Sequence, residues 1–309
     1  MIHAMYSIQK PSRSEFIPIR HLRYHVLQWG TPSPDKTPIV MVHGWMDVAA
    51  SFQFVIDAMK NDHWIIAPDW RGFGLTETPN TDHFFFPDYL ADLDQLLDHY
   101  VGERKVHLLG HSMGGHVATL YAGVRPERIQ SLINLEGFGM PTTRPTQAPS
   151  RLAKWMDELK ALHRGEMDLK SYASLEAVAQ RLIKTNPRLG TDKAHWLAQH
   201  WARPNAQGQW HILGHVAHKV VNANLFKVDE TQAIYERITA PTLCVVADTD
   251  SLAQWWKDSY TLAEFKQRIS VVSQLTHAVI DNAGHMLHHD QPEQLAQQIE
   301  DFLRLSSVT

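Results

Sequence analysis

The amino-acid sequence predicts an α/β fold with a mostly parallel central sheet, helices on both faces and an inserted helical lid, and three observations carry that prediction. Short apolar runs alternate with helical patterns, the signature of parallel strands buried on both faces. One run, Val106-His107-Leu108-Leu109, enters the pentapeptide Gly110-His111-Ser112-Met113-Gly114, and a helical run follows from Gly115. From about Pro141 to Tyr235 the alternation stops, and Pro141, Pro145 and Pro149 open a stretch of candidate helices.

Taken in order, Phe16–Ile19 and Leu22–Trp29 read as an entry hairpin before the turn-rich residues Gly30–Asp35. Ile39–Val42 is a buried strand that delivers the chain to His43-Gly44-Trp45. Ser51–Lys60 reads as a helix, Trp64–Ala67 as a strand and Asp69–Gly74 as the loop after it. Pro87–Tyr100 carries Leu90, Leu93, Leu96 and Leu97 at helical spacing. Ile129–Leu135 is the strand before the break at Gly137. The pattern divides the chain into a core of residues 1–139 and 236–309 and a lid of residues 140–235, with helices expected near Arg151–His163, Leu175–Lys184 and Lys193–Arg203. Beyond it come a strand at Thr242–Val246, a helix at Leu252–Lys266, a strand at His277–Ile280 and a closing helix from Pro292 to about Leu305.

Composition removes several function classes. The 309 residues carry a net charge of -4, with 44% hydrophobic and 20% charged residues, so no basic surface invites nucleic acid. No run approaches the roughly 20 apolar residues that span a bilayer, and no signal-peptide pattern opens the chain, which makes a cytoplasmic location the expectation. Cys244 is the single cysteine, so there is neither an intrachain disulfide nor a cysteine framework for zinc. Histidines crowd at His285, His288, His289 with Asp290, and at His211, His215 and His218, but no H-E-x-x-H motif is present. The expectation is no metal and no cofactor; the glycines form no nucleotide-binding motif either.

A serine on a sharp strand-to-helix turn presents its hydroxyl above the sheet edge, and the next N–H, that of Met113, lies free at a helix N-terminus. Ser112 is the candidate nucleophile. The second oxyanion donor is assigned to the Trp45 N–H, just past the strand ending at His43-Gly44. The nucleophile needs a base, and the base an acid to fix its tautomer. His285, in the loop before the final helix, is the candidate base. Two carboxylates compete for the third role: Asp250, just beyond the strand ending at Val246 and the preferred acid, and Glu136, at the end of the strand that follows Ser112. His43 reads as orienting its loop, Asp69 and Arg71 as tying theirs down, and Asp47 either as facing the pocket or as sitting at a helix N-terminus.

His43-Gly44-Trp45, Asp69-x-Arg71-Gly72-x-Gly74, Gly110-His111-Ser112-Met113-Gly114-Gly115 and Gly284-His285 together resemble the α/β-hydrolase fold superfamily. His43-Gly44-Trp45-Met46-Asp47 is similar to its serine-hydrolase-like subgroup, near epoxide hydrolases and haloalkane dehalogenases. Some members take their acid from the strand that bears Glu136, and the turn Ala247-Asp248-Thr249-Asp250 departs from the common pattern by lacking glycine at its first position. A serine nucleophile in place of aspartate favours acyl transfer over alkyl-enzyme chemistry. The resemblance implies a carboxylesterase-like serine hydrolase acting on a small molecule with an apolar portion. Carbon–carbon bond hydrolases, lactonases and cofactor-free oxygenases or perhydrolases share this scaffold, as do small-molecule receptors with slow turnover. Nothing in the sequence sets the oligomeric state.

Overall fold

A computed structural model describes residues 6–306 apart from residue 79. Its strands are β1 (Arg13–Ile19), β2 (Leu22–Trp29), β3 (Ile39–Val42), β4 (Ile65–Pro68), β5 (Val106–His111), β6 (Ile129–Leu135), β7 (Ser171–Tyr172), β8 (Ala202–Pro204), β9 (Trp210–Ile212), β10 (Thr242–Ala247) and β11 (Leu275–Ile280). Its helices are α1 (Gln53–Ala58), α2 (Pro87–Val101), α3 (Met113–Val124), α4 (Ala148–His163), α5 (Leu175–Thr185), α6 (Thr191–Trp201), α7 (Val228–Tyr235), α8 (Ser251–Trp256), α9 (Leu262–Ile269), α10 (Leu287–Asp290) and α11 (Pro292–Ser306).

Eight strands form the central sheet in the order β1-β2-β4-β3-β5-β6-β10-β11. The β1–β2 hairpin is antiparallel and joins β4 through an antiparallel β2 edge; every later pairing is parallel. The continuous apolar runs of β3, β4 and β10 are buried along their whole length, because helices cover both faces. Two apolar layers result: one joins α1 and α11 to the sheet, the other α2, α3 and α9. Helix α3 is apolar nearly all round and buried from Gly114 to Gly123, as a helix under a sheet must be. Its close approach needs Gly114, where a side chain would come within 2.2 Å of the Val42 carbonyl oxygen. No helix among the described residues is long and apolar enough to cross a membrane.

The 140–235 segment contains α4 to α7 and a small antiparallel sheet, β7-β9-β8, that the sequence did not announce. Its strands of two or three residues are too short to show a period of two. The helix expected over Lys193–Arg203 stops at Trp201, since Arg203 pairs with His211 in that sheet. The helix expected over Leu252–Lys266 is broken into α8 and α9 where Lys257 takes a φ of 50°.

This segment is anchored unevenly. Helices α5 and α6 share one apolar cluster with α1 and α11, and Trp196 packs edge-on to Phe54 at 5.5 Å. Helix α7 lies on α3, with the Ile234 carbonyl against Gly123. His218 is sandwiched between Phe73 and Phe84, with ring centroids 3.9 and 3.7 Å away. Beside that stack, the Gly74 N–H donates to the Leu213 carbonyl and the His215 N–H to the Gly72 carbonyl, both at 2.8 Å. Helix α4, by contrast, buries no side chain.

Candidate active site

The β5–α3 turn follows from the sequence Gly-His-Ser-Met-Gly. Ser112 is held at φ 55° and ψ −120°, a left-handed backbone that strains any residue but glycine. Its N–H donates to the Leu135 carbonyl at 2.8 Å, and its own carbonyl accepts from the His116 N–H at 3.0 Å, so sheet and helix both fix the turn. Met113 opens α3, where first-turn N–H groups have no partner within the helix. The loop after β3 runs beside Ser112: a side chain on Gly44 would lie 2.9 Å from Ser112 Cβ and 3.4 Å from Oγ.

That loop is held from behind. His43 Nδ1 meets the Gly44 carbonyl at 2.8 Å, and Nε2 accepts from the Trp70 N–H at 2.9 Å. The two bonds fix the neutral Nδ1–H tautomer, in keeping with burial, which lowers the His43 pKa. Asp69 accepts from the Ala49 N–H, the Leu75 N–H and His25 Nδ1 at 2.7–2.8 Å. Burial works to raise the Asp69 pKa, but the bond from His25 and the neighbouring donors prevail and hold it below the ordinary carboxylate value. Arg71 grips Asp92 with Nε and Nη2 at 2.6 and 2.7 Å.

His285 Nδ1 lies 3.0 Å from Glu136 Oε2. A carboxylate only accepts, so Nδ1 carries the hydrogen and Nε2 is left with a lone pair. Glu136 is itself positioned at φ 54°, with the Ala247 N–H on Oε1 and the Ser251 hydroxyl on Oε2, both at 2.8 Å. Burial raises its pKa to about 7, against those two hydrogen bonds. Burial likewise lowers His285 to about 3, which keeps the imidazole neutral, although 19% of its side chain faces solvent. Trp255 stands edge-on to the imidazole at 4.3 Å.

Asp250, the carboxylate preferred on the sequence, is engaged elsewhere. Its side chain caps α8, accepting from the Ala253 N–H at 2.9 Å, and it is exposed. The strand end that bears Glu136 reaches His285 instead. Ser251, Trp255 and His111, whose Nε2 sits 2.7 Å from the His285 carbonyl, complete the surroundings and had no sequence signal of their own. Among the aromatic side chains, Trp196, Phe73 and Phe138 are buried in the core, while Trp45 and Trp255 are exposed, at 53% and 49%.

The α/β hydrolase fold family matches residues 37–292. The chain belongs to that family. A serine hydrolase-like protein of Danio rerio is 26% identical over 313 residues, covering 99% of this chain and 93% of that protein. Epoxide hydrolase 4 of Homo sapiens is 23% identical over 92% of this chain and 76% of its own. Among solved structures, a thioesterase domain from the curacin biosynthetic pathway superposes with a TM-score of 0.80 at 23% identity, covering 94% of this chain and 99% of that domain. This α/β hydrolase thus shares its fold with hydrolases of differing chemistry, and its own chemistry has to be read from its site.

Proposed function

We propose that this α/β hydrolase is a serine hydrolase that cleaves a carboxylic ester or related acyl substrate through an acyl-enzyme. The observation that carries the reading is the Glu136–His285 pair, 3.0 Å apart and part-buried, together with Ser112 held in a strained turn. Ser112 Oγ attacks the carbonyl carbon while its proton passes to His285 Nε2, and the carbonyl electron pair moves to oxygen. Glu136 stabilises the imidazolium. The N–H groups of Trp45 and Met113 receive the oxyanion, each such donor typically contributing about 3 kcal/mol to the transition state. Collapse expels the alcohol, which takes the proton from His285; water then repeats the sequence in reverse and frees Ser112.

The exposed indoles of Trp255, edge-on to His285, and of Trp45, in the loop after β3, suit a substrate with an apolar portion. Residues 140–235 act as its lid. They touch the site's own loops: Asn186 Nδ2 donates to Asp290 Oδ1 at 2.6 Å, and Arg188 Nη2 to Thr249 Oγ1 at 3.1 Å.

Intact-protein mass after a fluorophosphonate probe, run with p-nitrophenyl ester hydrolysis, tests the reading. One adduct and turnover on the wild type, with both lost in a folded Ser112→Ala variant, are the expected result. Ester hydrolysis that survives Ser112→Ala would overturn it.

A further inference from the structure

Behind the Ser112 turn, three separate segments bring together Asp47 from the loop after β3, His111 from the end of β5 and His288 from α10. They are 5%, 2% and 0% exposed, and one ligand atom of each lies within 4.8 Å of those of the other two. Six buried side-chain atoms among the described residues lack a hydrogen-bond partner, and three belong to this trio: Asp47 Oδ2, His111 Nδ1 and His288 Nδ1. Buried polar atoms are nearly always satisfied, so their concentration at one point signals a missing partner.

The protonation pattern says what kind. His111 Nε2 lies 2.7 Å from the His285 carbonyl oxygen, which can only accept. The ring hydrogen is therefore on Nε2, and Nδ1 presents a bare lone pair. Asp47 Oδ2 also lacks a hydrogen-bond partner and lies 3.9 Å from His288 Nε2. His288 Nε2 meets the Ser51 hydroxyl at 3.0 Å, leaving Nδ1 unpaired. A cation held by the ionised carboxylate and two neutral imidazoles would satisfy all three groups.

We propose that Asp47, His111 and His288 hold a divalent transition-metal ion of the zinc, cobalt and nickel class. Two imidazoles and one carboxylate suit these ions, whereas magnesium and calcium require oxygen ligands. With bonds of about 2.0–2.1 Å, tetrahedral ligands stand about 3.3 Å apart, so the three side chains close by about 1 Å and water completes the set. The bond from His111 Nε2–H to a carbonyl is the outer contact that metal-bound histidines habitually make. Bound there, the ion cross-links the Trp45 loop, the Ser112 turn and the His285 loop.

Cobalt(II) is the probe. Full-length protein is loaded both natively and by refolding from urea with the ion, then desalted. Elemental analysis should find about one cobalt per chain, with the visible absorption of a four-coordinate ion and an X-ray absorption spectrum showing two imidazoles. Asp47→Asn and His288→Gln, checked for folding by circular dichroism, should each weaken retention about 100-fold or more. The lid variant His211→Ala should retain the full equivalent. Wild-type protein that keeps no cobalt by either route overturns the proposal in favour of a buried water donating to the two acceptors. So does cobalt that both folded variants retain as fully as the wild type, or a spectrum without imidazole ligands.

Discussion

Glu136→Gln is the substitution in which the hydrogen-bond inventory makes the sharpest demand. The carboxylate accepts three bonds, from the Ala247 N–H on Oε1 and from Ser251 and His285 on Oε2. An amide keeps one oxygen. If that oxygen stays on the Ala247 N–H, the new NH2 faces His285 Nδ1, which must give up its hydrogen; Nε2 then carries it and cannot accept from Ser112. If the amide flips, its NH2 opposes the Ala247 N–H in a buried site, a conflict of about 1–3 kcal/mol. A serine triad with its histidine in the wrong tautomer loses about 10⁴ in kcat, or about 5.5 kcal/mol. Glu136→Gln should therefore fold, show a loss of that order in ester turnover and label slowly with fluorophosphonate. Asp250→Asn keeps an equally good helix cap and should stay within about twofold of wild type. Initial rates with intact-mass labelling of both variants decide the matter. A large loss in Asp250→Asn beside near-normal Glu136→Gln would refute the reasoning and return the acid to the turn after β10.

Two further outcomes follow from the same geometry. Burial raises Glu136 to about 7 and lowers His285 to about 3, so as pH falls Glu136 takes up its proton first. The carboxylate is the active form, and kcat/KM should drop through an acid limb near pH 7, with the plateau above it; a flat profile from about pH 5.5 to 8 would contradict that order of titration. Gly74 has φ 57°, and a side chain there would lie 2.0 Å from Asp69 Oδ2, so Gly74→Ala must both strain the backbone and displace the carboxylate that holds Ala49, Leu75 and His25. A loss of roughly 3 kcal/mol or more is expected in denaturant unfolding, and a change under about 0.5 kcal/mol would show that the Asp69 hub is not needed.

The sheet was legible because its strands are buried on both faces, so β3, β4 and β10 read as nearly continuous apolar runs. The Ser112 turn was legible because glycine spacing and the strand-to-helix change coincide. The acid was not. β6 and β10 are neighbours whose ends open on the same edge, and both Glu136 and Asp250 lie just past a strand. The choice depends on backbone detail: Glu136 turns through a positive φ onto the Ala247 N–H, while Asp250 is taken up by the first turn of α8. Sequence spacing also grouped histidines by proximity along the chain, whereas the cluster that forms draws on Asp47, His111 and His288, from three distant segments.

Helix α4 contributes no buried side chain, while α5 and α6 are fused into the main apolar layer and His218 is locked between two phenylalanines. Tolerance and stability thus lie in different parts of one segment. Mutations along α4 should have little effect on folding, because exposed positions seldom change stability by more than about 0.5 kcal/mol. The same drift in α6 would be purged by misfolding. Such a division lets a lineage vary α4 freely while the rest of the segment is held constant by its packing.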